Sequence, residues 1–359
     1  MPSIVWLNHP TDVRVLGRLL VERSMTRDLD FSKVPAVADA GAGVPVNRRL
    51  GGKVAIVTGG GRGIGREEVL LLVREGAKVV VNDLGTTPEG DGTDTSVAQS
   101  LVDEIRLTGG DAVANSDSVA TMQGGKRIVE AAIDSFGRLD ILINNAGITR
   151  ARPIYEMTED EWDTIQHVNL KGVFTTVRHA APLMMRQQAG VIINTSSASG
   201  LGHLHMANYA AAKEGVVGFT RSIARDLGAF GIRCNAVRPM AATRMSTPEN
   251  VATMLKSQRE LGIPAVGSEW LGKNVGGMKP EQVAALVVWL ATDQARNVNG
   301  RTFMVSRQEI GLYSEPESTR TAFHPEGWTL ESLDHPATVS FLVGSLHNIF
   351  LPVDNSAKS

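Results

Sequence analysis

The chain has 359 residues, of which 42% are hydrophobic and 21% charged, and a formal net charge of −2. That balance suits a soluble globular protein with a substantial core and supplies no basic footprint for nucleic acid or an anionic membrane, so neither is expected as a partner. The single cysteine, Cys234 in an apolar run, excludes an intrachain disulfide, and no apolar stretch of about 18 residues or N-terminal leader pattern is present, so a cytoplasmic location is expected.

Residues 1–50 lack the alternation that follows and read as an arm, with linker composition from Ala36 to Pro45. Leu16, Leu19 and Leu20 could form one helical turn against a partner surface, and Met25 is an alternative start. From Lys53 short Val/Ile-rich runs alternate with longer helical segments. Strands are predicted at Val54–Val57, Lys78–Asn82, Ala112–Ala114, Leu139–Ile143, Val191–Asn194, Arg233–Val237 and Thr302–Val305. Helices are predicted from Gly63, over 94–108, 122–136, 159–186, 207–228 and 280–293. Continuous apolar strands joined by helices imply a doubly wound α/β fold. Its single Rossmann-type parallel sheet should have about seven strands, covered on both faces. The catalytic domain should then span 51–305.

Residues 244–278 break the rhythm, with Met245, Met254, Leu255, Leu261, Ile263, Trp270 and Leu271 among glycines. Following the sixth strand, they sit at the edge where open sheets bind ligands, and read as a substrate lid or a surface excursion. The tail 306–359 carries Trp328, Phe341, Leu342, Leu346, Ile349 and Phe350, too apolar to be left in water. It is expected to pack on the body or on a neighbouring subunit.

Thr58-Gly59-Gly60-Gly61-Arg62-Gly63-Ile64-Gly65 ends a strand and opens a helix, the setting in which backbone N–H groups approach a pyrophosphate. Gly59, Arg62, Gly63, Ile64 and Gly65 are therefore candidate cofactor residues. Asp83, about 20 residues on at the end of the second strand, would accept from the adenosine ribose and repel a 2′-phosphate, which favours NAD. Arg62 could reach such a phosphate, which keeps NADP open. Asp117 and Ser118, after the third strand, lie where the adenine would rest. Asn144-Asn145-Ala146-Gly147 follows the fourth strand, with Asn145, Ala146 and Gly147 permitting close approach of the cofactor; a polar strand-end turn is the alternative.

Tyr209 and Lys213 stand four apart on a predicted helix, so they share a face and the ammonium can favour the phenolate. That is proton-transfer chemistry for an alcohol or ketone. His203 and His205 lack further ligands and make a poor metal site, so no metal is expected. An apolar lid with methionines and Trp270 suits a bulky hydrophobic alcohol or ketone. For a CoA ester, Arg150, Arg152, Arg244 and Lys256 are candidate phosphate contacts or a solvated rim.

Taken with Asn169, the Ser196-Ser197 segment and the Tyr209–Lys213 pair, these motifs resemble the short-chain dehydrogenase/reductases over residues 51–305. The resemblance implies a tetrad of Asn169, Ser197, Tyr209 and Lys213 and an assembly of four or two copies. Asn169 would position a water that links Lys213 to solvent. Ser196 has the family's common spacing of thirteen to Tyr209, whereas Ser197 begins the local serine-x-x-glycine pattern at Ser197-Ala198-Ser199-Gly200; Ser197 is preferred. Tyr209 and Lys213 also count among the cofactor contacts. Pro239 to Thr243 stands where the family has a Pro-Gly turn, and Thr243 would meet the nicotinamide carboxamide. Within the family the chain looks most like (3R)-hydroxyacyl-CoA dehydrogenase units. A hydroxysteroid dehydrogenase and a non-catalytic cofactor-binding subunit are the alternatives.

Overall fold

The computed structural model describes residues 48–247, 249, 251–253, 255–256, 277–307, 309–344 and 346. In chain order they form β1 (Val54–Thr58), α1 (Gly63–Arg74), β2 (Lys78–Asn82), α2 (Ser96–Leu107), β3 (Ala112–Asn115), α3 (Met122–Phe136), β4 (Ile141–Asn144) and α4 (Glu159–Ile165). After a π-helical segment (Gln166–Lys171) come α5 (Gly172–Gln187), β5 (Gly190–Thr195), α6 (Ala207–Gly228), β6 (Ile232–Met240), α7 (Pro280–Ala291), β7 (Thr302–Ser306) and β8 (Glu309–Leu312).

The sheet runs β3-β2-β1-β4-β5-β6-β7-β8, parallel except for the last pair. Because successive side chains leave a strand on opposite faces, Ala55, Val57, Val79, Val81, Ile143 and Val237 pack under α1, α2 and α7. Val54, Ile56, Val80, Leu142, Ile192 and Cys234 pack under α3, α5 and α6. Both faces are dry, which is why the strands read as unbroken apolar runs. Each buried Val, Leu or Ile side chain among these contributes about 1.5–3 kcal/mol by leaving water.

The strand order reverses between β1 and β4. The C-terminal ends of these strands, where ligands of such sheets bind, therefore bring together the segments after β1, β2, β4, β5 and β6.

Two differences from the sequence reading affect the site. The sheet has eight strands rather than about seven: β8 folds back antiparallel on β7, with Ser306 opposite Glu309. The sequence after Ser306 lacks the Asn-Gly or Gly-X signature of a tight hairpin, and Arg307 takes φ 35° without being glycine. The helix expected over 159–186 is instead α4, a six-residue π segment and α5. The wider turn inserts one register shift into the helix, and Asn169 lies inside it.

The chain divides into two compact units, one of residues 46–313 with the whole sheet, the other of the two chain ends. In the latter, the tail has short helices α8 (Leu330–Leu333) and α9 (Pro336–Leu342), with Arg320 donating to the carbonyls of Phe341 and Leu342. The arm up to residue 47, and Met254, Leu261, Ile263, Trp270 and Leu271 of the expected lid, lie outside the described residues.

Candidate active site

The turn after β1 is built by close packing. A Cβ at Gly65 would stand 2.2 Å from the carbonyl oxygen of Gly59, so only glycine lets α1 start there. Gly63 opens the helix at φ 55°, in the left-handed region. Thr58 ties the turn to β4's end, its hydroxyl accepting from the N–H groups of Asn145 and Ala146 at 3.1 Å. Asn145 returns the support, donating its amide to the carbonyls of Thr58 and Gly59. Its side-chain donors are thus committed to protein. The Asn145 side chain thereby shapes the turn at which close approach of a cofactor is expected.

The residues fit an anionic dinucleotide. Arg62, at the N-cap of α1, gives no side-chain cap, and the first turn holds no acid, so the first N–H groups keep their positive end for a ligand. Asp83 accepts from Gly61 N–H at 2.9 Å and Gly85 N–H at 2.8 Å, which holds a carboxylate beside the turn. Thr243, whose hydroxyl accepts from Met245 N–H, faces Gly63: a Cβ on that glycine would lie 3.7 Å from its methyl. Pro239 is inside β6, opposite Val305. Asp117 and Ser118 follow β3 beside β2, where Asn82 donates to Asp117's carbonyl. The Asp117 carboxylate is paired with Arg127.

Nothing in the sequence signals the strap that covers this end. Residues 85–94 leave β2 and reach the segment after β4: Thr149 N–H donates to Pro88, and Arg150 donates to the Glu89 carbonyl and pairs with Asp91 and Asp160. With β1 between β2 and β4, the strap crosses the end of β1. Arg62 pairs with Asp94 of the strap at 3.7 Å. Arg150 and Arg152, expected as phosphate contacts for CoA or as a solvated rim, are both engaged by protein acids; Arg152 meets Glu161 at 2.8 Å and pulls its carboxyl down to about 2. Arg244 and Lys256 are exposed.

The other end is built from buried side chains. Tyr209 and Lys213 are both buried on α6 and share a face, with the ammonium 5.7 Å from the ring centroid. The Ser197 side chain is close enough to the Tyr209 hydroxyl to favour its ionised form. Ser196 instead donates to the Lys213 carbonyl at 2.7 Å. Lys213 donates to the Thr195 carbonyl at 2.7 Å. Asn169 is fully buried and holds both polar groups of the Ile148 backbone, accepting from its N–H at 2.9 Å and donating to its carbonyl at 2.8 Å. A Cβ on Gly147 would come within 3.3 Å of both Asn169 Oδ1 and Lys213 Nζ, so this glycine lets the turn after β4 lie against the pair. Ile148, Met206 and Met245 give the tyrosine apolar surroundings.

Burial pushes the Tyr209 phenol up to about 12, opposed by the Ser197 side chain, and pushes the Lys213 ammonium down to about 8. The helix spacing predicts that Lys213 lowers the tyrosine; in this structure loss of water around both groups dominates. Glu68 on α1 is also fully buried, and among the described residues neither of its oxygens has a partner. Burial raises it to about 8.

The short chain dehydrogenase family model matches residues 53–253. A peroxisomal multifunctional enzyme type 2 from Drosophila melanogaster is 47% identical over 55% of this chain and 33% of its own length. A peroxisomal hydratase-dehydrogenase-epimerase from Neurospora crassa is 44% identical over 61% of this chain and 24% of its own. The chain thus spans a quarter to a third of these relatives. The 3-oxoacyl-acyl-carrier-protein reductase FabG of Staphylococcus aureus is 39% identical over 71% of this chain and 96% of its own length. Among solved structures, a short chain dehydrogenase from Mycobacterium avium matches with TM-score 0.67 and 35% identity, over 85% of this chain and 98% of that one.

Proposed function

The chain belongs to the short-chain dehydrogenases, a family of oxidoreductases, and from that premise we propose that it interconverts a (3R)-3-hydroxyacyl-CoA and its 3-ketone with NAD as preferred cofactor. The observation that carries the reading is the meeting of Ser197, Tyr209 and Lys213 against Gly147, in the segment that follows β4 and braces the glycine turn. The acyl class is supported by the names of the relatives and by the apolar side chains around Tyr209. The preference for NAD is supported by Asp83 and by Asp94, which offsets the charge of Arg62. Exposed Ile310 and Leu312 on the edge strand support assembly as a homodimer or homotetramer.

In the oxidative direction Tyr209, as phenolate, takes the proton from the substrate hydroxyl, and Ser197 holds the same oxygen. NAD when bound supplies the acceptor for the carbinol hydride and a positive charge beside the phenol. Lys213 favours the phenolate and would bond the nicotinamide ribose. Asn169 fixes the Gly147-Ile148 turn that backs Lys213. Its further role is to position a water through which the proton reaches solvent. Asp83 would accept from the adenosine ribose, the first turn of α1 from Gly63 to Gly65 would receive the pyrophosphate, and Thr243 would meet the carboxamide.

The test is NADH formation by the purified protein with a (3R)-hydroxyacyl-CoA series, the (3S) enantiomers and hydroxysteroids, each with NAD and NADP. Turnover confined to the (3R) thioesters with NAD is expected. Turnover of steroids alone would overturn the substrate class.

A further inference from the structure

Arg238 sits near the C-terminal end of β6, 2% exposed, with its charge in the protein interior. Such a cation is costly to bury unless its donors are used. One terminal nitrogen donates to the Ser197 carbonyl at 2.7 Å and the other to Glu214 Oε2 at 2.7 Å. Its Nε has no partner among the described residues, and the guanidinium carbon lies 5.0 Å from the ring centre of Tyr313, the residue that follows β8. Tyr313 N–H donates to the Thr302 carbonyl, which continues the β7–β8 ladder and keeps the ring in place.

These contacts join the two segments that carry the proton-transfer groups. Ser197 begins the turn after β5. Glu214 follows Lys213 on α6, one turn beyond Tyr209. A fork with two donors fixed in one plane sets the distance between them in a way a flexible ammonium does not. The packing leaves no slack: a Cβ at Gly200 would come 2.9 Å from both Arg238 Nη1 and Glu214 Oε2.

We propose that Arg238 is a positioning residue that locks the Ser197 segment to helix α6, so that the serine and tyrosine hydroxyls meet on one substrate oxygen, with Glu214 and Tyr313 as its supports. This rests on the oxidoreductase reading above and adds to it a residue that touches neither substrate nor cofactor. It also gives the eighth strand a part in the chemistry, since that strand seats the ring against the guanidinium.

The test compares wild type with Arg238→Ala, Arg238→Lys and Gly200→Ala in turnover, NADH affinity and backbone hydrogen exchange. Arg238→Ala is expected to lower kcat about tenfold or more, with NADH affinity within about twofold of wild type. Peptides covering 196–202 should exchange faster while those of β1 and α1 do not. Arg238→Lys should recover part of kcat, and guanidinium ion at millimolar concentration should restore part of the alanine variant's rate. Gly200→Ala should resemble Arg238→Ala. Unchanged kcat and unchanged exchange in 196–202 would overturn the proposal, as would a loss of rate matched by loss of NADH affinity and unmoved by guanidinium. If wild type oxidises no secondary alcohol yet Arg238→Ala still loosens 196–202, the lock stands and the assigned reaction fails.

Discussion

The two ends of the site are built by different means. Around Tyr209 the working groups are side chains, buried, with Lys213 bonded to the Thr195 carbonyl and Asn169 to the Ile148 backbone. At the nucleotide end they are backbone N–H groups and strand-end carboxylates, closed over by a strap whose ion pairs reach the surface. Buried charges respond strongly to loss of a partner, whereas exposed pairs contribute little each. The contrast implies that changes near Tyr209 alter the rate of chemistry and changes near the strap alter which cofactor binds and how tightly.

Lys213→Met should have the largest effect of the four changes considered next, lowering kcat about a hundredfold. In wild type the oxidative rate should climb with pH, because the reactive tyrosine must lose a proton that burial holds on up to about 12. Without the ammonium that climb should move to higher pH, as a pH series of kcat/KM would reveal; an unmoved profile would detach Lys213 from the tyrosine.

Asp83→Ser should change the NAD to NADP ratio of kcat/KM by about tenfold toward NADP. Adding Asp94→Asn should extend the change by freeing Arg62 from its partner. Measured with both cofactors, an unchanged ratio would mean that the strap does not set the choice.

Arg150→Ala should weaken NADH binding by no more than about fivefold, since it removes pairs with exposed acids, and should leave kcat intact. Calorimetric titration checks the first and steady-state kinetics the second. A large loss of kcat would place the strap in the chemistry and break the division between the two ends.

Glu68→Met concerns stability alone. The carboxyl's folded pKa of about 8 lies above its ordinary 4.5, so the native state holds the proton more tightly than the unfolded chain. Stability therefore falls as pH rises from about 4.5 to about 8 and is flat beyond. The methionine variant should melt a few degrees higher near the upper limit and gain less near the lower one. Thermal melts across that window test the sign.

Much of this was legible because the signals are local. β1, the glycine turn and the opening of α1 lie in one short segment, and Tyr209 and Lys213 share a helix face by spacing alone. The features that escaped join distant positions. Arg150 meets Glu89 across 61 residues and Arg238 meets Ser197 across 41, and neither pairing leaves a pattern in the intervening chain. The π segment reads as ordinary helix because its composition is that of its neighbours. β8 escapes because four residues with a glycine, after a turn without turn residues, give no strand signal. That Asn145 also braces the glycine turn escapes as the distant pairings do, since its amide donates to Thr58 and Gly59 across more than 80 residues.

The most direct test of the division is Tyr209→Phe, which removes one hydroxyl from the buried end and leaves the glycine turn untouched. Turnover of the (3R)-hydroxyacyl-CoA and binding of NADH should be measured on the same preparation. The account predicts turnover reduced about a thousandfold or more with NADH affinity unchanged. Turnover near the wild-type rate would contradict it.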